Sequence, residues 1–138
     1  MLCFLVGGCG AFLSGPSGTV TSLNYPANYN DDDYCTWQMQ VPVDKKIRFD
    51  FTEFKTESGK DFLLMYDTNH YESPTIVFDG TTHKPPPFTS SGNVVRVRFI
   101  SDEASNFKGF SFNYKQVGEI YFFCVSSLFY LRCYFMLF

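Results

Sequence analysis

Fourteen Asp and Glu, two His and five Cys are the side chains in these 138 residues best suited to exchange a proton, ligate a metal or act as a nucleophile. Glu53 and Glu57 could act as a glycosidase pair, in which one carboxyl protonates the leaving group while the other attacks or activates water. Nothing in the sequence places those two acids in a cleft. There is no H-E-x-x-H, no G-x-S-x-G and no glycine loop of the phosphate-cradling kind. A Ser/His/Asp trio can be assembled on paper from any chain this size, so it carries no weight. His70 and His83 are isolated and read as loop residues. Cys3, Cys9, Cys35, Cys124 and Cys133 form no C-x-x-C pair and have no histidine at zinc spacing, which argues against a metal knuckle. The reading is a non-enzyme. With a net charge of -3 and no Lys/Arg run, nucleic acid is not expected as a partner either. Asp31, Asp32 and Asp33 read as a solvated turn before a strand.

The elements that must carry these residues read as strands. Cys35, Trp37, Met39 and Val41 alternate with polar residues, as do Ile47, Phe49 and Phe51. Val95, Val97 and Phe99 repeat the pattern, and so do Phe110, Phe112 and Tyr114. A period of two puts one set toward a core and the other toward water. Residues 62–66 and 75–78 are continuous apolar runs and predict more deeply buried strands. Turn residues such as Ser58-Gly59, Asp79-Gly80 and Ser91-Gly92 separate the segments. No stretch holds an apolar period of 3.6. With 17 Phe, 9 Tyr and one Trp to fill a core, the pattern predicts an all-β, two-sheet antiparallel sandwich.

The ends differ from the middle. Residues 1–8 are apolar and then small, which fits a signal-peptide remnant or a misannotated start. Residues 118–138 hold an apolar, aromatic-rich tail interrupted by Arg132. Gly118-Glu119 can be encoded by a run resembling a splice donor, so the tail reads first as translated non-coding sequence and second as a membrane anchor. A tail packed into the core ranks last. Cys9 and Cys35 lie in the central stretch and the other cysteines in the ends. That distribution favours one structural disulfide and an oxidising compartment, with a buried reduced pair as the alternative.

Cys9-Gly10, Gly18-Thr-Val-Thr-Ser22, Tyr25-Pro26 with Tyr29, Cys35-x-Trp37 and Phe99-Ile-Ser-Asp102 follow one another in an order that resembles a CUB domain, an extracellular β-sandwich module. Cys9-Gly10 is similar to the family's start and Gly18-Thr-Val-Thr-Ser22 to its first strand. Tyr25-Pro26 with Tyr29 is similar to its Tyr-Pro pair, although Asn30 stands where a second proline is usual. Cys35-x-Trp37-x-Met39, Phe51-x-x-Phe54-x-x-Glu57 and Phe99-Ile-Ser-Asp102 followed by Gly109-Phe110 match later motifs in order. The resemblance covers 9–114, implies a jelly-roll-like sandwich over 9–117, and pairs Cys9 with Cys35. Both partners of the family's second disulfide are absent. Ser58-Gly-Lys60 and Asp79-Gly80 stand in their places.

The resemblance also implies a function and a site. Many members bind one Ca²⁺ at an end of the sandwich, and by motif match the ligands here are Glu57, Asp61 and Asp102. Backbone carbonyls after Asp102 and water would complete the oxygen shell that a hard cation requires. Tyr29 would orient Glu57 through its hydroxyl. The implied function is a secreted, extracellular binding module for a protein or glycan ligand, engaged through a basic side chain of the partner. A membrane association follows only if the 120–138 tail is real. The alternative is a calcium-independent structural or spacer module of a larger secreted protease or membrane-anchored protein. It follows if the connection 57–61, shorter than usual in the family, misplaces a ligand.

Overall fold

In the computed structural model, residues 9–67, 72–80, 83–118, 120–127 and 130–137 are described. Residues 1–8, with the leader reading and Cys3, lie outside them, as does His70.

Alternation decides the architecture. The strands are β1 (Gly10–Leu13), β2 (Ser17–Thr21), β3 (Tyr34–Gln40), β4 (Lys45–Lys55), β5 (Phe62–Tyr66), β6 (Ile76–Phe78), β7 (Phe88–Thr89), β8 (Val94–Ile100) and β9 (Gly109–Gly118). One sheet has the order β1-β3-β8-β5-β6 and the other β2-β9-β4-β7. Every neighbour is antiparallel except β1, which runs parallel to β3. The chain is all-β, with two sheets forming a sandwich and no helix among the described residues.

The inward set forms the core. Cys35, Met39, Ile47, Phe49, Leu63, Val95, Val97, Phe99, Phe110 and Phe112 are fully buried, and Trp37 nearly so. Each such aliphatic or aromatic side chain contributes about 1.5–3 kcal/mol by leaving water. Trp37 meets Phe110 edge-on at 5.7 Å, and Phe51 meets Phe112 at 5.2 Å. Such ring pairs add about 0.5–1.5 kcal/mol each.

Two details depart from the pattern read in the sequence. The register of β4 on β9 shifts between Phe51 and Glu53, so Phe51 faces Phe112 and Glu53 faces Ser111. The extra residue, Thr52, is a β-bulge, and it lets Phe54 point inward three residues after Phe51. The runs 62–66 and 75–78 are also less enclosed than a continuous apolar stretch suggests. β5 alternates, with Leu63 and Met65 buried but Phe62 and Leu64 half-buried, and in the edge strand β6 Val77 is exposed. An edge strand of an antiparallel sheet has one covered face at most.

Cys9 and Cys35 are joined by a disulfide that ties the start of β1 to β3. Beyond Gly118 the backbone forms a two-stranded antiparallel sheet of β10 (Ile120–Ser127) and β11 (Tyr130–Leu137). No helix among the described residues is long and apolar enough to cross a membrane.

Candidate functional site

The pairing of β5 with β8 sets Phe62 opposite Ile100. The residues just outside that pair, Asp61 and the Ser101-Asp102 step, therefore meet at one end of the sandwich. Glu57 arrives from the other sheet, two residues past β4. The short connection closes as a single turn in which the Asp61 amide donates to the Glu57 carbonyl at 3.2 Å, with Gly59 at φ 73°. Glu57, Asp61 and Asp102 each bring a carboxylate oxygen to within 4.8 Å of the others.

Asp61 is the pivot. It is fully buried. Its Oδ1 accepts the Asp102 amide at 2.9 Å and its Oδ2 accepts the Tyr29 hydroxyl. Tyr29 is buried too, with its ring edge-on to Phe99 at 5.0 Å. Its hydroxyl also accepts the backbone amide of Glu57 at 3.2 Å. Tyr29 thus reaches Glu57 through the main chain, whereas its side-chain partner is Asp61. Burial, and then the bond to Asp61, push the Tyr29 phenol well above its usual range, so it stays a donor.

Asp102 sits on a loop braced from below. Ser101 accepts the Asp33 amide through Oγ and donates from the same oxygen to the Asn30 carbonyl, both at 2.8 Å. The Asp32 amide donates to the Asp102 carbonyl at 2.9 Å. The Asp102 side chain accepts the Ala104 amide at 3.1 Å. The acids 31–33 are therefore a turn whose backbone props the Asp102 loop. Asn28 extends the brace by donating to the Asn106 carbonyl at 2.8 Å. In the same loop Asn106 Oδ1 is buried with no hydrogen-bond partner among the described residues. Neither Ser101 nor Asn106 emerged from the sequence reading. Ser101 lay within a quoted motif but carried no assigned role, and a brace of backbone bonds has no side-chain signature.

The other sequence candidates lie elsewhere. Glu53 is held by Lys108 at 2.6 Å, and His83 is exposed. Thr56, fully buried, takes the Gly80 amide at 2.9 Å and donates to the Asp61 carbonyl at 3.1 Å. Where the second disulfide is missing, Asp79 accepts the Gly59 amide at 2.7 Å and the Ser58 hydroxyl at 3.4 Å. A second group of possible ligands, Cys9, Asp33 and Cys35, offers no thiolate because its cysteines are bridged.

The donor set suits a hard cation. It is all oxygen, and opposite ligands of a Ca²⁺ ion at about 2.4 Å lie about 4.8 Å apart, within the spread of these carboxylates. Unneutralised carboxylates about 4 Å apart repel by about 1–4 kcal/mol per pair, depending on solvent access. The Lys60 ammonium, 3.9 Å from Asp102 Oδ2 and mostly exposed, offsets little of this.

A CUB domain family model matches residues 9–114. The chain is similar to human CUB and zona pellucida-like domain-containing protein 1, with 34% identity over 113 residues that cover 79% of the chain and 18% of that protein. Among solved structures, it superposes on the full extracellular region of zebrafish Gpr126/Adgrg6 with a TM-score of 0.73 and 30% identity, covering 82% of the chain and 15% of that one. The MASP-1 CUB2 domain bound to Ca²⁺ shares the fold at a TM-score of 0.66 and 19% identity, over 79% of the chain and 97% of that domain. The chain thus spans under a fifth of the human relative it matches. Strand order, disulfide and matched span agree: the chain belongs to the CUB domain family.

Proposed function

We propose that this chain is an extracellular, non-catalytic interaction module whose binding end is organised by Ca²⁺. The observation that carries the reading is the convergence of Glu57, Asp61 and Asp102 around a hydrogen-bonded pivot. A bound Ca²⁺ would offset two of the three carboxylate charges and cross-link the 57–61 turn to the Asp102 loop. The chain's own residues do the rest: Tyr29 fixes Asp61, and the turn 30–33 fixes the Asp102 loop. The Ca²⁺-bound MASP-1 CUB2 domain supports the reading as a protein of the same fold. The outer oxygen of Asp102 faces the Lys60 ammonium, which supports a protein or glycan partner that presents a basic group there. The Cys9–Cys35 disulfide and the extracellular origin of the zebrafish neighbour support an oxidising, extracellular setting.

The test is the melting temperature of the full chain with and without calcium. A ligand of the native state stabilises by RT ln(1 + [L]/Kd), about 2.7 kcal/mol at a hundred-fold excess over Kd. Calcium should raise the melting temperature, and magnesium should do so far less because it gives up its waters reluctantly. Asp102→Asn should abolish the shift. A flat response of the wild type, with flat calorimetry, would favour the calcium-independent structural or spacer module.

A further inference from the structure

Among the described residues the tyrosines are Tyr25, Tyr29, Tyr34, Tyr66 and Tyr114. Tyr29, Tyr66 and Tyr114 are buried and Tyr25 is half-buried, whereas Tyr34 is 57% exposed. The next residue of β3 is the buried Cys35, so alternation turns Tyr34 outward. Tyr34 is also the tyrosine that directly follows Asp31-Asp32-Asp33. Each of the other four has no acid among the three residues before it. Asp31 and Asp32 are exposed, and the Asp33 carboxylate accepts the Asn30 amide at 3.1 Å. The two properties are independent, since strand register sets the exposure and the preceding turn supplies the acids. An acidic run alone marks nothing, but here it abuts the exposed phenol.

We propose that Tyr34 is a site of tyrosine O-sulfation. The phenolic oxygen attacks the sulfur of an adenosine phosphosulfate donor. A sulfur–oxygen bond forms at Tyr34, the one to the donor's phosphate breaks, and the phenolic proton passes to a base of the transferase. Nothing is oxidised or reduced, and the nucleotide leaves with its phosphates. A transferase cleft that holds a polyanionic donor is electropositive, and carboxylates just before the acceptor complement it. The Arg98 guanidinium, 5.0 Å from the centre of the Tyr34 ring, places a cation near the new sulfate. The choice of sulfate over phosphate rests on the extracellular reading above, which the Cys9–Cys35 bridge supports, and is independent of calcium.

The test incubates the oxidised full chain with Golgi membranes and a donor radiolabelled in its sulfur. After reduction and alkylation, an endoproteinase that cuts before aspartate releases peptide 33–43, in which Tyr34 is the only tyrosine. The expected result is label on that peptide, lost in Tyr34→Phe. Asp31→Asn combined with Asp32→Asn should slow labelling by about fivefold, the effect of losing two exposed charge contacts. Asparagine tolerates the φ of 54° at position 32, so the turn is kept. No label, label on another tyrosine alone, or an unchanged rate in the double variant would overturn the proposal. Whether animal cells release the full chain behind an appended leader, with Cys9–Cys35 oxidised, tests the extracellular reading separately. A released but unlabelled chain would overturn the sulfation alone.

Discussion

Replacing Asp61 by alanine removes the acceptor of both the Tyr29 hydroxyl and the Asp102 amide. A buried polar group left unpaired costs about 1–3 kcal/mol, so Asp61→Ala should destabilise the chain by about 2–4 kcal/mol even without calcium. Asp102→Asn keeps the oxygen that accepts the Ala104 amide and should cost less than about 1 kcal/mol without calcium. Urea unfolding of both variants in chelator separates the two roles: comparable losses would mean that Asp61 is no pivot. The three acids were legible in the sequence only through motif order, since their spacing alone distinguishes no ligand set from three surface acids. The Tyr29–Asp61 bond was not legible, because residues 29 and 61 meet only once two loops are folded over the same sheet end.

At the scale of the strand, the bulge in β4 reconciles two motifs that conflict on a strict period of two. Ile47, Phe49 and Phe51 alternate, but Phe54 is inward only because Thr52 is an extra residue. Deleting Thr52 should leave a regular ladder with Glu53 outward and Phe54 still inward, at a cost of less than about 2 kcal/mol. Deleting Asp50 instead consumes the bulge by turning Phe51 outward and Thr52 inward. That should cost about 3–5 kcal/mol, the range for losing a buried phenylalanine. Denaturant midpoints of the two deletions should rank in that order, and equal losses would refute the role given to Thr52. Alternation made the inward faces of β3, β8, β9 and the first half of β4 readable. It could not reveal the two-residue strand β7 or the parallel pairing of β1. β7 is too short for a period, and register depends on a partner strand far away in sequence.

For the whole molecule, the aromatic core carries a pH dependence on the alkaline side. Tyr114 is 3% exposed, and burial raises its phenol above the ordinary value of 10.0. The folded state therefore holds the proton more tightly than the unfolded chain. The stability this confers is full below about pH 10 and is lost as pH rises through the folded value. Base titration should show two phases of tyrosinate absorbance, that of the buried phenols appearing only together with unfolding. Early ionisation of every tyrosine in the folded chain would contradict the burial of Tyr114.

The parallel pairing of β1 with β3, pinned by Cys9–Cys35, also determines how the module bears tension. A pull applied at residues 9 and 118 bypasses β1 and passes through the sulfur bridge into β3, in the body of one sheet. It leaves through β9, clamped between β2 and β4 in the other. Residues 10–34 stay slack until the bridge is cut. Reduction moves the load to the edge strand, which can peel one bond at a time, and frees a segment with a sequence separation of 26. At about 3.5 Å per residue, single-molecule stretching should record about 90 Å more contour length from the reduced chain, preceded by a weaker first rupture. In a long string of such modules, one thiol reaction would then determine whether each unit acts as a stiff link or an extensible one.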